Sequence, residues 1–240
     1  MVKNIIVIPC YNEESRLQAY KFEEFAKKSP EFELLFVNDG STDGTQKILE
    51  SLCNSRNIKL FNLRANVGKA EAIRLAINNL LDSDIVFEYV GYLDADLSTP
   101  LSQAERLFEI AKRDEKLMVF GSRVKLLSNK ITRNPLRHYL GRVFATFASI
   151  TLKLAVYDTQ CGAKVFHRSV INDLFSQPFS SRWIFDVEIF MRYRNSHSID
   201  RAKEVVLEEW TGYDGSKIKL KDLIRIPFEL IKIARNDRKN

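Results

Sequence analysis

A chain of 240 residues with 45% hydrophobic and 28% charged residues can bury a sizeable core as one domain, and this composition excludes a disordered or fibrous protein. The cysteines Cys10, Cys53 and Cys161 are odd in number and far apart, which excludes a disulfide framework or a closely spaced zinc site and fits a reducing compartment. The net charge of +6 gathers near the C-terminus, where Lys217, Lys219, Lys221, Arg225, Lys232, Arg235, Arg238 and Lys239 outnumber Asp222, Glu229 and Asp237, so an anionic surface is the expected partner of that tail.

The first apolar run, residues 4–9, is too short for the core of an export signal and turns polar at once. It reads as a strand that exits into Pro9-Cys10-Tyr11-Asn12-Glu13. Runs at 32–38, 58–62, 89–93 and 117–121 read likewise as buried strands. Helices fall between them. Residues 41–53 open on a Ser/Thr/Asp cluster, residues 68–81 carry apolar positions at helical spacing, and residues 100–112 follow Thr99 as N-cap with Pro100 at the first helical position. This alternation predicts an α/β fold, a Rossmann-like and mostly parallel sheet with helices on both faces.

The second half is less regular. It offers a basic helical stretch at 136–156, a short apolar run at 163–166, a helix at 185–194 and a late strand at 204–210. The longest mostly apolar stretch, 143–157, is broken by Lys153 and is shorter than the roughly 20 residues of a spanning helix, so no transmembrane helix is expected. No repeat or linker divides the chain. One domain over 1–240 is expected, with 217–240 a basic amphipathic helix within it or appended to it. That helix would lie in a lipid headgroup layer, or pack on its own domain or on a second subunit of a homo-oligomer. The expected location is cytoplasmic, with peripheral contact at the cytoplasmic face of a membrane.

In such sheets ligands sit beyond the carboxyl ends of the strands. Asp94-Ala95-Asp96 leaves the fourth strand, and its two like charges call for a hard cation, Mg²⁺ or Mn²⁺, bridging to a substrate diphosphate; the alternative is an ordinary acidic turn. Asp39, at the end of the second strand, can accept from a ring N–H of uracil or guanine, while Ser41, Thr42, Gly40 and Gly44 serve turn and cap. Tyr11 can stack on the base and Glu13 can accept from a ribose hydroxyl. Gly68 and Lys69 at a helix N-terminus suit an anion, unless the lysine is simply solvated.

The segments 9–13, 37–45, 66–69 and 94–100, in this order, resemble the family 2 glycosyltransferases of GT-A fold. Gly121-Ser122-Arg123, Asp158-Thr159-Gln160-Cys161-Gly162 and Arg182-Trp183-Ile184-Phe185-Asp186-Val187-Glu188 resemble the dolichyl-phosphate glucosyltransferase branch, related to the dolichyl-phosphate mannose synthases. The resemblance covers nearly the whole chain. It implies that Pro9, Tyr11, Glu13 and Asp39 line a nucleoside pocket with Lys69 near it, and that Asp94 and Asp96 bind the metal-diphosphate group. It also implies that Arg123 and Arg137 bind a polyprenyl phosphate, and that Lys217, in Gly215-Ser216-Lys217, closes over the diphosphate. The sequence departs from the pattern at Ser98, where many mannose synthase relatives carry a metal-holding glutamine. It also shows neither the N-terminal anchor of the eukaryotic enzymes nor the C-terminal transmembrane helices of some bacterial relatives.

The implied partners are a nucleotide-sugar donor and a polyprenyl-phosphate acceptor, with the donor leaning towards UDP-glucose and guanosine left open. An acceptor phosphate, with a second pKa of about 6, is ionised at neutral pH and needs no protein base. A sugar or protein hydroxyl needs one, and Asp186 is the first candidate, ahead of Glu188, unless Asp186 caps its helix or orients Arg123. A catalytically silent nucleotide-sugar-binding subunit is the alternative of another class. A dinucleotide fold is excluded because no glycine fingerprint follows the first strand, and a phosphate loop because Ala70 follows Gly68-Lys69. No nucleic-acid partner is expected, since the basic residues are not interleaved with aromatics.

Overall fold

The computed structural model describes residues 3–132, 135–182, 184–212, 229–230 and 232–233, with the backbone alone at 135–138 and 140. In the first half β1 (Lys3–Cys10), β2 (Phe32–Asp39), β3 (Ile58–Leu63) and β4 (Phe87–Leu93) alternate with α1 (Ala19–Lys28), α2 (Thr45–Leu52), α3 (Lys69–Leu81) and α4 (Leu101–Arg113). The second half adds β5 (Met118–Ser122), β6 (Lys130–Thr132), α5 (Pro135–Leu152), β7 (Ala163–His167), α6 (Ile171–Phe175), α7 (Phe185–Ser196), β8 (Ala202–Val206) and β9 (Glu209–Thr211).

Successive side chains of a strand point to opposite faces, and each face of this sheet is covered. Ile5 and Val7 of β1 therefore join Leu35 and Val37 of β2 in one core with Ile73 and Ile77 of α3 and Val187 of α7. Ile6 and Ile8 join Leu34 and Phe36 in a second core with Phe22 of α1, Leu49 of α2 and Leu107 of α4. Burial on both sides explains why β2 is buried at every position.

Among the described residues the main sheet runs β3-β2-β1-β4-β7-β5-β8, and β6 pairs with β9 beside it. β7 runs antiparallel to β4 and β5, whereas the other pairings are parallel. The chain winds outward from β1 to β3 and then returns to β4 on the other side of β1, so the strand order reverses between β1 and β4. The crevice beyond their carboxyl ends is the topological switch point.

The α/β architecture and the first five strands stand as the sequence predicts. α1 has no counterpart in the prediction. It buries Phe22, Phe25 and Ala26 but starts after Gln18, which makes no side-chain cap bond. α2 begins at Thr45 rather than residue 41, because Ser41 accepts from the Asn12 N–H and Asp43 accepts from the N–H of Thr45. At α4 Pro100 itself takes the cap position in place of Thr99. The single late strand expected at 204–210 is two strands, β8 and β9, which pair with different partners. Of the expected helix at 217–240 the described part is helical at 229–230 and 232–233, with Leu230 and Ile233 in the core; the remainder lies outside the described residues. No helix among the described residues is long and apolar enough to cross a membrane.

Candidate active site at the carboxyl edge of the sheet

Asp94 and Asp96 leave β4 in a tight turn. The Leu97 N–H bonds back to the Asp94 carbonyl at 3.2 Å, and the Ser98 N–H donates to Asp96 Oδ1 at 2.9 Å. The Asp94 carboxylate lies against Gly162, just before β7, where a Cβ would overlap it. Glycine is required there for a close approach. Lys69, the first residue of α3, meets Asp94 Oδ1 at 2.5 Å.

Asp39 closes β2 and is 2% exposed. Its Oδ1 accepts from the Val67 N–H at 2.7 Å, and its Oδ2 from the Gly68 N–H and the Asn66 side chain, both at 2.9 Å. Burial pushes its pKa up against the pull of those N–H groups and of Arg182. The carboxylate thus braces the loop that delivers Lys69. Gly68 in that loop has φ +92°, and a Cβ there would come within 2.8 Å of the Arg182 guanidinium. Arg182 in turn donates to Asn66 Oδ1 at 3.2 Å.

The exit of β1 is tied to the loop before α2. Asn12, with φ 53°, receives the Thr42 N–H on its side-chain oxygen, and the Glu13 N–H donates to Thr45 Oγ1 at 2.8 Å. The Glu13 carboxylate pairs with Arg16 at 2.6 Å. Pro9 lies inside β1, opposite Val37, and Tyr11 follows at the strand end, beside the same crevice.

Arg123 leaves β5 and is clamped by Asp158. Its Nε and Nη2 donate to the two carboxylate oxygens at 2.7 and 2.8 Å, and its backbone N–H donates as well. Burial works to raise the Asp158 pKa, but the guanidinium and these bonds outweigh it and hold the acid at about 2. The partner of Arg123 is therefore Asp158, and the expectation that Asp186 orients this arginine is corrected. Asp186 instead accepts on Oδ1 from Lys164 at 2.6 Å and from the Tyr92 hydroxyl. Lys164, 1% exposed, also donates to the Cys161 carbonyl at 2.7 Å. Burial and the Asp186 charge keep the Tyr92 phenol well above its ordinary pKa, so it stays a donor. The Glu188 carboxylate is spent on the Ser180 N–H and on Arg192, each at 2.8 Å. The side chain of Arg137, and Lys217 altogether, lie outside the described residues.

Lys69 feels the charges of Asp94, Asp186 and Asp96, and Arg123 feels that of Asp94. Five residues from two strand exits, those of β4 and β5, and two helix starts, those of α3 and α7, therefore share an electrostatic neighbourhood. Asp158, Gly162, Lys164, Tyr92 and Arg182 are the members that the sequence reading does not assign. Lys164 carries the clearest signal, because a lysine inside an apolar strand run must find a buried partner.

No group of three or more His, Cys, Asp or Glu gathers to hold a metal among the described residues. Asp94 and Asp96 still fit a hard divalent ion, which typically takes one or two carboxylates and completes its shell with substrate phosphates and water. The cation already drawn to this spot, the Lys69 ammonium, shows the sign of the local field.

A crevice at the switch point of a mostly parallel sheet, lined by paired carboxylates and by cations, is the ligand-binding edge of an α/β enzyme. The model of the family "Glycosyl transferase family 2" matches residues 5–175. A dolichyl-phosphate beta-glucosyltransferase of Trichomonas vaginalis is 32% identical over 97% of this chain and 71% of its own. The Dictyostelium discoideum enzyme of that name is 33% identical over 94% of this chain and 74% of its own. Among solved structures, glucosyl-3-phosphoglycerate synthase from Mycobacterium tuberculosis superposes with a TM-score of 0.72 at 15% identity, covering 98% of this chain and 80% of the other. That likeness is one of fold. The chain belongs to glycosyl transferase family 2.

Proposed function

We propose that residues 1–240 form one glycosyltransferase unit that moves glucose from UDP-glucose to a dolichyl-type polyprenyl phosphate, with inversion at the anomeric carbon. The observation that carries this reading is the convergence of Lys69, Asp94, Asp96, Arg123 and Asp186: carboxylates suited to a metal-diphosphate stand beside cations suited to a second phosphate. The names of the relatives supply glucose and dolichyl phosphate, and a complex of the Mycobacterium tuberculosis synthase contains UDP and Mn²⁺.

In this reading Tyr11 stacks on the uracil beside Pro9, Asp39 accepts from its ring N–H at an acceptor position of Oδ1, and Glu13 reaches the ribose. Asp94 and Asp96 hold Mn²⁺ or Mg²⁺; when bound, the ion neutralises the leaving diphosphate. Lys69 and Lys217 contact the same diphosphate. Arg123, held in one orientation by Asp158, and Arg137 take the acceptor phosphate. An ionised phosphate oxygen attacks without a protein base, so most of the catalysis is positioning and charge stabilisation. The bonds of Asp186 to Lys164 and Tyr92 suit a residue that fixes the floor of the site, and they favour a phosphate acceptor over a hydroxyl.

A lipid acceptor calls for a lipid surface. Tyr139, Val143, Phe147 and Ile150 form a helical stripe on α5 and are 69, 55, 58 and 68% exposed. The helix carries Arg137 and Arg142 and no acidic residue, which suits an anionic leaflet. We read this stripe, with the basic residues of 217–240, as a peripheral contact at the cytoplasmic membrane face.

The test incubates the chain with Mn²⁺ or Mg²⁺, labelled UDP- and GDP-sugars and a polyprenyl phosphate, and counts label in the organic phase. Glucose from UDP-glucose should enter it, and Asp96→Asn should lower the rate on the order of 100-fold or more. Label that reaches only a soluble saccharide would reassign the acceptor, and label from GDP-sugars alone would reassign the donor.

A further inference from the structure

Lys69 stands at a helix start, where the helix dipole by itself does not favour a cation. It is the first residue of α3, at the positive end of the helix dipole, and the N-cap Gly68 has no side chain to cap the N–H groups there. Its ammonium reaches back to Asp94 Oδ1 at 2.5 Å, and the two side chains are 37% and 38% exposed. The ammonium occupies one oxygen of the carboxylate that a divalent ion would use. The space beside Asp94 that a divalent ion needs is thus already neutralised from within the chain.

We propose that Lys69 is an internal counter-ion of the metal site, which pairs with Asp94 while the donor is absent and passes to the donor's diphosphate when metal and nucleotide sugar enter together. The inference rests on the reading of Asp94 and Asp96 as metal carboxylates. A bare divalent ion has to displace the ammonium and leave two cations side by side. A diphosphate brings the negative charge that makes both tolerable. The uncapped N–H groups of α3 offer the same anion further donors, so the displaced lysine and the helix start converge on one ligand. The rings of Tyr92 and Phe185, with centroids 5.9 and 6.0 Å from the ammonium, keep the side chain in reach of either partner. Metal and nucleotide are then positively coupled through a single side chain.

Mn²⁺ uptake by the full chain, read from the loss of the free-ion paramagnetic resonance signal, tests this with and without UDP. Wild type should bind Mn²⁺ weakly alone and about 10-fold or more tighter with UDP. Lys69→Met should bind bare Mn²⁺ at least about 5-fold tighter than wild type and lose most of the gain from UDP, while Lys69→Arg should behave as wild type. Thermal unfolding establishes that each variant is folded, and Lys69→Gln replaces Lys69→Met if the latter is not. Bare-metal affinity in the folded neutral variant that stays within about 5-fold of wild type overturns the counter-ion role and leaves the metal site standing. Failure of wild type to take up Mn²⁺ even with UDP overturns the metal reading and this inference with it.

Discussion

Asp158 does for Arg123 what no neighbour in the chain can do, since it lies 35 residues away and supplies both carboxylate oxygens. Its carboxyl is depressed from an ordinary 3.8 to about 2, so the stability it lends is complete above about 3.8 and is lost as pH falls through about 2. Asp158→Asn leaves a buried guanidinium without its counter-charge and should cost about 3 to 5 kcal/mol at neutral pH. The gap to wild type should close between about pH 4 and 2, as read by urea unfolding across that range. Gly162 acts at the same scale by an opposite means, through the side chain it lacks. Gly162→Ala pushes the Asp94 carboxylate off its seat. Turnover should fall on the order of 100-fold and calorimetric uptake of UDP with Mn²⁺ should weaken, while the protein stays folded.

Among the elements, α5 divides its labour by face. Ala148 and Leu152 are buried in the core, whereas Phe147 and Ile150 point outward. Replacing those two by glutamate should change stability by no more than about 0.5 kcal/mol per site, yet abolish flotation with anionic vesicles and slow transfer to a vesicle-borne acceptor. Donor binding, measured by calorimetry, should persist. The same element scale marks what the sequence makes legible. β1, β2, β4 and β5 can be read because burial on both faces leaves them few polar residues, and the motif Asp94-Ala95-Asp96 can be read because it breaks from such a run. α1 lacks a start signal, since Gln18 makes no side-chain cap bond, although Phe22, Phe25 and Ala26 recur at helical spacing. The bonds of Arg123 to Asp158 and of Lys164 to Asp186 are tertiary, and no local periodicity encodes which carboxylate serves which cation. For that reason sequence alone could set Asp186 beside Arg123, where the structure sets Asp158.

At the scale of the whole molecule, the reversed strand β7 joins the two halves of the site. Because it runs against β4, its beginning rather than its end lies at the working edge. The loop 158–162 that leads into it therefore arrives beside the carboxylates leaving β4, and the Asp94 N–H bonds to the Gly162 carbonyl at 3.2 Å. Beneath that loop the Tyr92 hydroxyl reaches Asp186, 94 residues along the chain. Such distant pairings are costly to close and form late in folding. During synthesis, then, a ribosome releases strands β1 to β4 well before β7 exists to complete the edge. A nascent chain halted at the end of α4 should already possess the loops that leave β1 and β2 and yet lack the Gly162 seat for Asp94.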